Sequence, residues 1–181
     1  MAPVKLPLPS PVLVLLSRQH YTTRRIQLSD EPKPVPAIQV GSAAYSFFRT
    51  APTAEEALVM VGKLCDRSYP LALTKIPKGY ALWIEESTVQ LNFAPTPANL
   101  ATCHLLKAGQ YQAIKLRLPR LDLPVSGIEF NQHYYSIFCQ ETDLTQLIEL
   151  AGQLVEWGNP ALILRDQFML CIREPQAKRV A

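Results

Sequence analysis

The sequence matches itself when it is shifted by 90 residues. Residues 21–75 align with residues 111–165 without a gap, and 11 of the 55 aligned pairs are identical. Further along, the offset becomes 88, so that Tyr80 aligns with Phe168. The length change falls at 76–79, a predicted turn, where insertions are tolerated. The pattern predicts a tandem duplication: an α+β fold in which two β-rich units, each of hairpins and one helix, share one core around a pseudo-two-fold axis.

The predicted units are separated by a proline-rich linker. The 181 residues suit one domain or two very small ones. The composition predicts a first unit over 1–94, a linker over 95–101, a second unit over 102–174 and a basic tail over 175–181. A unit of this size buries too little apolar surface to be stable alone. We therefore expect the two units to fold against each other.

Three hairpins are predicted in the first unit. Apolar or alternating runs over 12–18 and 21–28 form the first hairpin. The runs on either side of Gly41-Ser42 form the second, and those over 71–76 and 80–86 form the third. The second unit repeats this pattern of runs, so the same hairpins are expected there.

Each unit also contains one predicted helix. Thr53 and Asp143 occupy the N-cap positions, and Glu56 completes a capping box in the first helix. Gly62 and Gly152 stand in the middle of the two helices. A glycine in a helix interior costs about 1 kcal/mol relative to alanine. Its presence in both helices predicts that each helix backbone lies close to the sheet.

In the order of its elements, this module is similar to the duplicated strand-helix-strand-strand modules of the GyrI-like and SOUL ligand-binding proteins. The likeness covers residues 43–86 and 133–174. It is one of topology, without a shared motif, and it implies a fold of the same general plan.

The sequence contains none of the common signatures of catalysis. GxSxG, SxxK, GxGxxG, Walker and HExxH motifs are all missing. The four cysteines form no CxxC pair and lie in apolar runs typical of reduced core residues; they are Cys65, Cys103, Cys139 and Cys171. We therefore expect a non-catalytic cytoplasmic protein that has no catalytic, cofactor-binding or metal-ligating residues.

Charge and hydropathy exclude few partners. The net charge of +3 and the pI of 8.7 permit an acidic or nucleic-acid partner without requiring one. No window approaches the roughly 20 apolar residues of a membrane span. The apolar run at 12–16 is also too short for a secretory leader. The sequence therefore predicts no membrane span.

Eight residues form the predicted binding surface. Two strands at corresponding positions begin with tyrosine and carry basic side chains on one face, a pattern that could follow a nucleic-acid backbone. A second group lies at and after the turn at 77–79, and its tyrosine and tryptophan are residue types favoured at interfaces. The candidates are Tyr21, Arg25, Tyr111, Lys115, Arg117, Lys78, Tyr80 and Trp83.

Three functions are compatible with these observations. The leading expectation is a cytoplasmic binding or assembly factor that acts through protein-protein contacts. The alternative is a small-molecule-binding protein with a cleft between the two units, because pockets favour interfaces between modules. The third is a weak nucleic-acid binder that uses the basic strands. An exposed apolar patch would favour the first, an apolar cleft the second and a continuous positive stripe the third.

Overall fold

A computed structural model describes residues 8–89, 91 and 99–180 of the chain. These residues form one 13-stranded sheet and two α-helices, so the mixed α+β class is confirmed. In chain order the elements are β1 (Val12–Leu15), β2 (Thr22–Ile26), β3 (Val35–Val40), β4 (Ala43–Ala51), α1 (Ala54–Asp66), β5 (Leu71–Ile76), β6 (Gly79–Glu85), β7 (Cys103–Leu106), β8 (Gln112–Arg117), β9 (Val125–Phe130), β10 (His133–Gln140), α2 (Leu144–Glu156), β11 (Ala161–Leu164), β12 (Met169–Arg173) and β13 (Lys178–Val180).

The strand order is read most simply from the centre of the sheet outward. On one side of the central pair the order is β1-β5-β6-β4-β3-β2, and on the other it is β7-β11-β12-β10-β9-β8, with β13 added at that edge. Corresponding strands are thus six apart in chain order. We refer to β1–β6 with α1 as the first half of the molecule, and to β7–β12 with α2 as the second half.

The first predicted hairpin is wrong in both units, since in the second unit β7 pairs with β1 and β11 while β8 pairs with β9 and β13. The runs over 12–18 and 21–28 do not pair with each other, because β1 lies between β5 and β7 while β2 pairs with β3. The physical reason is burial. Every residue of β1 is apolar and nearly all of its surface is covered, as is typical of a central strand covered on both faces. The more polar β2 takes an edge position, where one side of a strand faces water.

The other predicted hairpins of the first half, and both helix N-caps, are confirmed. β3 pairs with β4 and β5 with β6, both antiparallel. The Thr53 hydroxyl accepts a hydrogen bond from the backbone N–H of Glu56 at 3.2 Å. The Asp143 carboxylate accepts hydrogen bonds from the backbone N–H groups of Thr145 and Gln146, at 2.9 and 3.4 Å. Each cap satisfies N–H groups that lack a partner within the helix.

The two faces of the sheet are covered in different ways. On one face, both helices pack on the central strands, with Leu58 and Ile148 in the same core cluster as Leu73. On the opposite face, Ile128 of β9 clusters with Leu106 of β7, although three strands separate β9 and β7 in the sheet order. The outer strands therefore curl over the central strands on the side away from the helices.

The curled strands carry a bulge at the same place in each half. The register between β4 and β6 shifts between Phe47 and Arg49, and the register between β10 and β12 shifts between Ile137 and Cys139. The extra residues are Phe48 and Phe138. A β-bulge bends its strand and increases the local twist, which suits a strand at the start of a curl.

Each helix also contacts the first strand of the other half. α2 packs against β1, and α1 packs against β7. The carboxylate of Glu156, at the end of α2, accepts hydrogen bonds from the backbone N–H groups of Leu16 and Ser17, at 2.7 and 2.8 Å. At the end of α1, the Asp66 carboxylate accepts hydrogen bonds from Lys107 and Arg165, both at 3.3 Å. The two halves are thus joined through the helix C-termini.

The two mid-helix glycines lie against side chains from the other half. A Cβ placed on Gly62 would come within 2.4 Å of the Arg165 guanidinium, and a Cβ on Gly152 within 2.5 Å of Leu16 Cγ. Leu16 directly follows β1, and Arg165 directly follows β11. The close approach therefore involves side chains at the ends of strands and not the sheet backbone.

The predicted linker and tail are described in part. Residues 95–98 of the linker lie outside the described residues. Its end is held in place, since the Ala101 N–H donates to the Val155 carbonyl at 3.0 Å. Within the predicted tail, residues 178–180 form β13, which pairs antiparallel with β8.

Candidate functional site

The predicted binding residues are spread over the molecule. Arg25 lies on β2 at one end of the sheet, while Lys115 and Arg117 lie on β8, next to the last strand at the other end. Tyr21 is buried, Tyr111 is half-buried, and Lys78 is exposed in the β5–β6 turn. The structure therefore does not bring the two basic strands together.

Tyr80 and Trp83 face opposite sides of the sheet. Tyr80 belongs to the core under the helices, and Trp83 packs with the cluster on the other face. The Trp83 indole N–H donates to the Thr74 hydroxyl at 2.9 Å, and its ring meets that of Phe47 edge-on with centroids 5.4 Å apart. Both predicted candidates thus fill space in the first half.

A cavity of about 290 Å³ opens between α1 and the second half. We call it the seam cavity. Most of its lining is apolar, and three charged side chains complete it. From α1 come Glu55, Leu58, Val59 and Lys63, and from the second half come Leu105, Leu144, Ile163, Arg165 and Phe168. Apolar walls with a few polar groups are typical of sites that bind small molecules.

Arg165 lines one wall of the seam cavity and pairs with an aspartate. Both terminal nitrogens of its guanidinium lie 3.3 Å from Asp66 Oδ2, which Lys107 Nζ also approaches at 3.3 Å. The other oxygen, Asp66 Oδ1, is buried without a hydrogen-bond partner among the described residues. The guanidinium of Arg165 therefore lies along α1, over Gly62.

The corresponding seam, between α2 and the first half, is bridged by an ion pair. Lys75, which aligns with Arg165, forms an ion pair with Glu149 of α2, and Val59 stands at the position of Glu149 in α1. Tyr80, which aligns with Phe168, is 4 % exposed, whereas Phe168 is 41 % exposed. Burial raises the pKa of Tyr80, and a hydrogen bond with Thr145 opposes this rise. The seam that contains the cavity therefore has apolar Val59 at the position where the other seam has the carboxylate of Glu149.

Phe168 adopts an unusual backbone conformation at the edge of the seam cavity. Its φ of 50° lies in the left-handed region, where a bulky residue is an outlier. The residue ends the β11–β12 turn, and its carbonyl accepts a hydrogen bond from the Glu141 N–H at 3.1 Å. Strained residues of this kind cluster at ligand sites.

The cysteine thiols are placed as core groups. Burial raises the pKa of Cys65 and of Cys171 to about 12, and it also raises the pKa of Cys103. Protonated thiols are poor nucleophiles and poor metal ligands at neutral pH. Within residues 8–89, 91 and 99–180, no three His, Cys, Asp or Glu side chains are grouped so that they could hold a metal ion.

The residues of the seam cavity were missed in the sequence. Leu58, Val59 and Ile163 read as ordinary core or surface positions of repeating elements. The available signal was a difference between the copies: Val59 aligns with Glu149, while Arg165 aligns with Lys75. The basic residue is kept in both halves, but the carboxylate of Glu149 has no counterpart at Val59, which indicates that the two seams differ.

Two further findings bear on the class of protein. In the part of the chain that the structure describes, neither α1 nor α2 is long and apolar enough to cross a membrane. Comparison of the chain with protein-family models, with curated proteins and with solved structures found no match.

Proposed function

We propose that this protein binds a small, mostly apolar molecule in the seam cavity and does not transform it. The carrying observation is that the cavity lies between the two halves, beside Val59 of α1, while the equivalent seam is bridged by the ion pair of Lys75 with Glu149. Its volume of about 290 Å³ lies near the lower end of ligand pockets. Lys63 and Arg165 would favour a ligand with one polar or anionic group.

We also propose that the fold arose by tandem duplication, with a pseudo-two-fold axis between β1 and β7. Support comes from the matching strand order on either side of this pair. The bulges at Phe48 and Phe138 add to it, because bulges are maintained as designed features. In this view, the two seams began alike and then diverged.

The test introduces into α1 the carboxylate that α2 has at the corresponding position. Val59→Glu would place a carboxylate on α1 at the position where α2 has Glu149, and Val59 is 50 % exposed, so the change should be tolerated. The probes are octanoate and 1-octanol, followed by chemical-shift changes of backbone amides. We expect the shifts to cluster around Leu105 and Ile163 in the natural protein and to disappear in the Val59→Glu variant.

The matched control is Leu123→Glu. Leu123 is 78 % exposed in the β8–β9 loop and does not line the seam cavity. This variant should bind both probes as the natural protein does. Absence of probe binding in the natural protein, or equal binding by the Val59→Glu variant, would contradict the proposed site.

Protein binding is the second candidate function. It is favoured by Phe48 and Phe138, which are 46 % and 51 % exposed at corresponding bulges. Exposed aromatic side chains are favoured anchors at protein interfaces. Photo-crosslinking from position 48 or 138 in cells of the native host tests this candidate. A specific crosslinked protein that is lost when the other phenylalanine is replaced by serine would support this candidate. Absence of any crosslinked protein would oppose it.

A further inference from the structure

The side of the sheet away from the helices differs between the two halves. Trp83 of β6 lies directly across from Phe47 of β4, and Cys171 of β12 lies directly across from Ile137 of β10. The two positions also align in the sequence at the offset of 88. A large aromatic side chain in the first half therefore corresponds to a small, non-aromatic side chain in the second half.

The contacts of Trp83 show what fills this place in the first half. Its indole packs edge-on against Phe47 and donates to Thr74 Oγ1. The corresponding residues of the second half are Ile137 and Leu164. Both line a groove of about 470 Å³ on the same face of the second half.

The groove has apolar walls and one charged side chain. Its lining includes the apolar or aromatic side chains of Tyr111, Ile114, Ile128, Ile137 and Leu164, and its charged side chain is Lys115. Lys115 Nζ donates to Ser126 Oγ at 2.8 Å, and among the described residues it forms no ion pair. An amine whose hydrogen-bond partner is a neutral hydroxyl can still form an ion pair with a carboxylate.

We propose that this groove is a second binding site, which takes a small planar aromatic carboxylate. The aromatic ring would lie against Ile137 and Leu164, where the first half holds its own indole, and the carboxylate would meet Lys115. Leu164 replaces the hydrogen-bond acceptor Thr74, so this wall of the groove would contact the ring through apolar atoms only. This site is separate from the seam cavity, which lies on the helix side of the sheet.

The test compares three probes that share one ring system. Indole-3-acetate, neutral indole and tryptamine are titrated into the protein, and binding is followed by calorimetry and by amide chemical shifts. We expect indole-3-acetate to bind most tightly, with shifts on β8, β9 and β11. Tryptamine, whose charge has the opposite sign, should bind most weakly.

Two variants locate the site. Lys115→Gln should weaken indole-3-acetate about tenfold, as expected for the loss of one charge-assisted hydrogen bond, and should leave neutral indole unchanged. Ile137→Trp, at a residue that is 37 % exposed, places an indole in the groove from its open side and should abolish binding of both. Lys33→Gln, in the exposed β2–β3 loop, is the matched control and should have no effect.

The outcomes separate this site from the seam cavity. Val59→Glu should leave indole-3-acetate binding intact, so failure of the seam proposal does not affect this test. Equal affinity for indole-3-acetate and tryptamine would overturn the charge assignment, and unchanged binding by a folded Ile137→Trp variant would overturn the site.

Discussion

At the scale of single residues, three aligned pairs differ between the halves at or next to the two proposed sites. In each pair, the residue named first forms an ion pair, is more deeply buried or is larger than its counterpart. The pairs are Glu149 and Val59, Tyr80 and Phe168, and Trp83 and Cys171. For the seam cavity, the other half therefore supplies the substitution to test, Val59→Glu.

The mid-helix glycines should respond differently to alanine. Leu16 lies over Gly152, and its backbone is held by the hydrogen bond of its N–H to Glu156 at 2.7 Å. Overpacking there costs about 1–3 kcal/mol, against a gain of about 1 kcal/mol in helix propensity. We expect Gly152→Ala to lower the free energy of unfolding in urea.

Gly62→Ala provides the comparison. Its new methyl group would meet the flexible end of Arg165, which can move aside at little cost. The expected change in the free energy of unfolding is close to zero. An increase in stability for Gly152→Ala that equals or exceeds that for Gly62→Ala would contradict the packing described for α2.

The buried thiols predict a loss of stability at alkaline pH. In the unfolded chain a cysteine ionises near pH 8.5, whereas burial raises the pKa of Cys65 and Cys171 to about 12. The unfolded state therefore binds fewer protons than the folded state between these values, and stability falls as pH rises through this range. The double variant Cys65→Ala, Cys171→Ala should show a shallower fall, measured by urea unfolding at pH 8 to 11.

Cys139→Ala is the control for the alkaline experiment. Cys139 is only half-buried, and its raised pKa has the same cause. Its replacement should change the slope with pH less than the double variant does. Equal slopes for the natural protein and the double variant would show that other groups, such as Tyr45 with its raised pKa, govern the alkaline transition.

At the scale of elements, the position of the two basic strands limits what they can bind. β2 ends the sheet on one side, and β8 lies next to β13 on the other. Arg179 of β13 is paired with Glu129 at 3.1 Å, which removes one positive charge from that edge. The strands therefore offer two small basic surfaces in place of one long stripe.

We expect nucleic-acid binding to be weak, sensitive to salt and independent of sequence. A few phosphate contacts on each strand release few counterions, so affinity should be low at physiological salt. Titration of a labelled single strand across salt concentrations measures this. Sub-micromolar binding that is lost when Arg25, Lys115 and Arg117 are changed to Gln would contradict the expectation and favour the third function.

The elements show where prediction from sequence succeeds. The caps Thr53 and Asp143, and the β3–β4 and β5–β6 hairpins, depend on residues close together in the chain, so local patterns identified them. The place of β1 depends on distant partners, and a local pattern could not distinguish a parallel partner 59 residues away from the next strand along the chain. The seam cavity goes with a difference between α1 and α2. The repeat pattern draws attention to what the two helices share, so this difference was not noticed in the sequence.

At the scale of the whole molecule, the two halves should fold as one unit. β1 and β7 pair only at Val12 and Cys103, so the central strands alone join the halves weakly. The helices supply the remaining contact, because each packs on the first strand of the other half. Cutting the chain within 95–101 should give two fragments that are poorly folded apart and recover when mixed.

Circular dichroism of each fragment, alone and mixed over a range of concentrations, checks this prediction. Recovery should depend on concentration, because the linker then contributes mainly effective concentration. Independent cooperative melting of each fragment at the temperature of the intact protein would show that the halves are separate domains. Fragments that never recombine would contradict the proposed duplication.

The packing of α2 against β1 also has a consequence for synthesis on the ribosome. β1 ends at Leu15, whereas the helix that covers it ends at Glu156. Nearly the whole chain must therefore emerge before the apolar surface of β1 is covered on that face. Contacts of such large sequence separation form slowly and leave apolar strands open to wrong partners in the meantime. We therefore expect the nascent first half to be the stage at which this protein is most prone to misfold or aggregate.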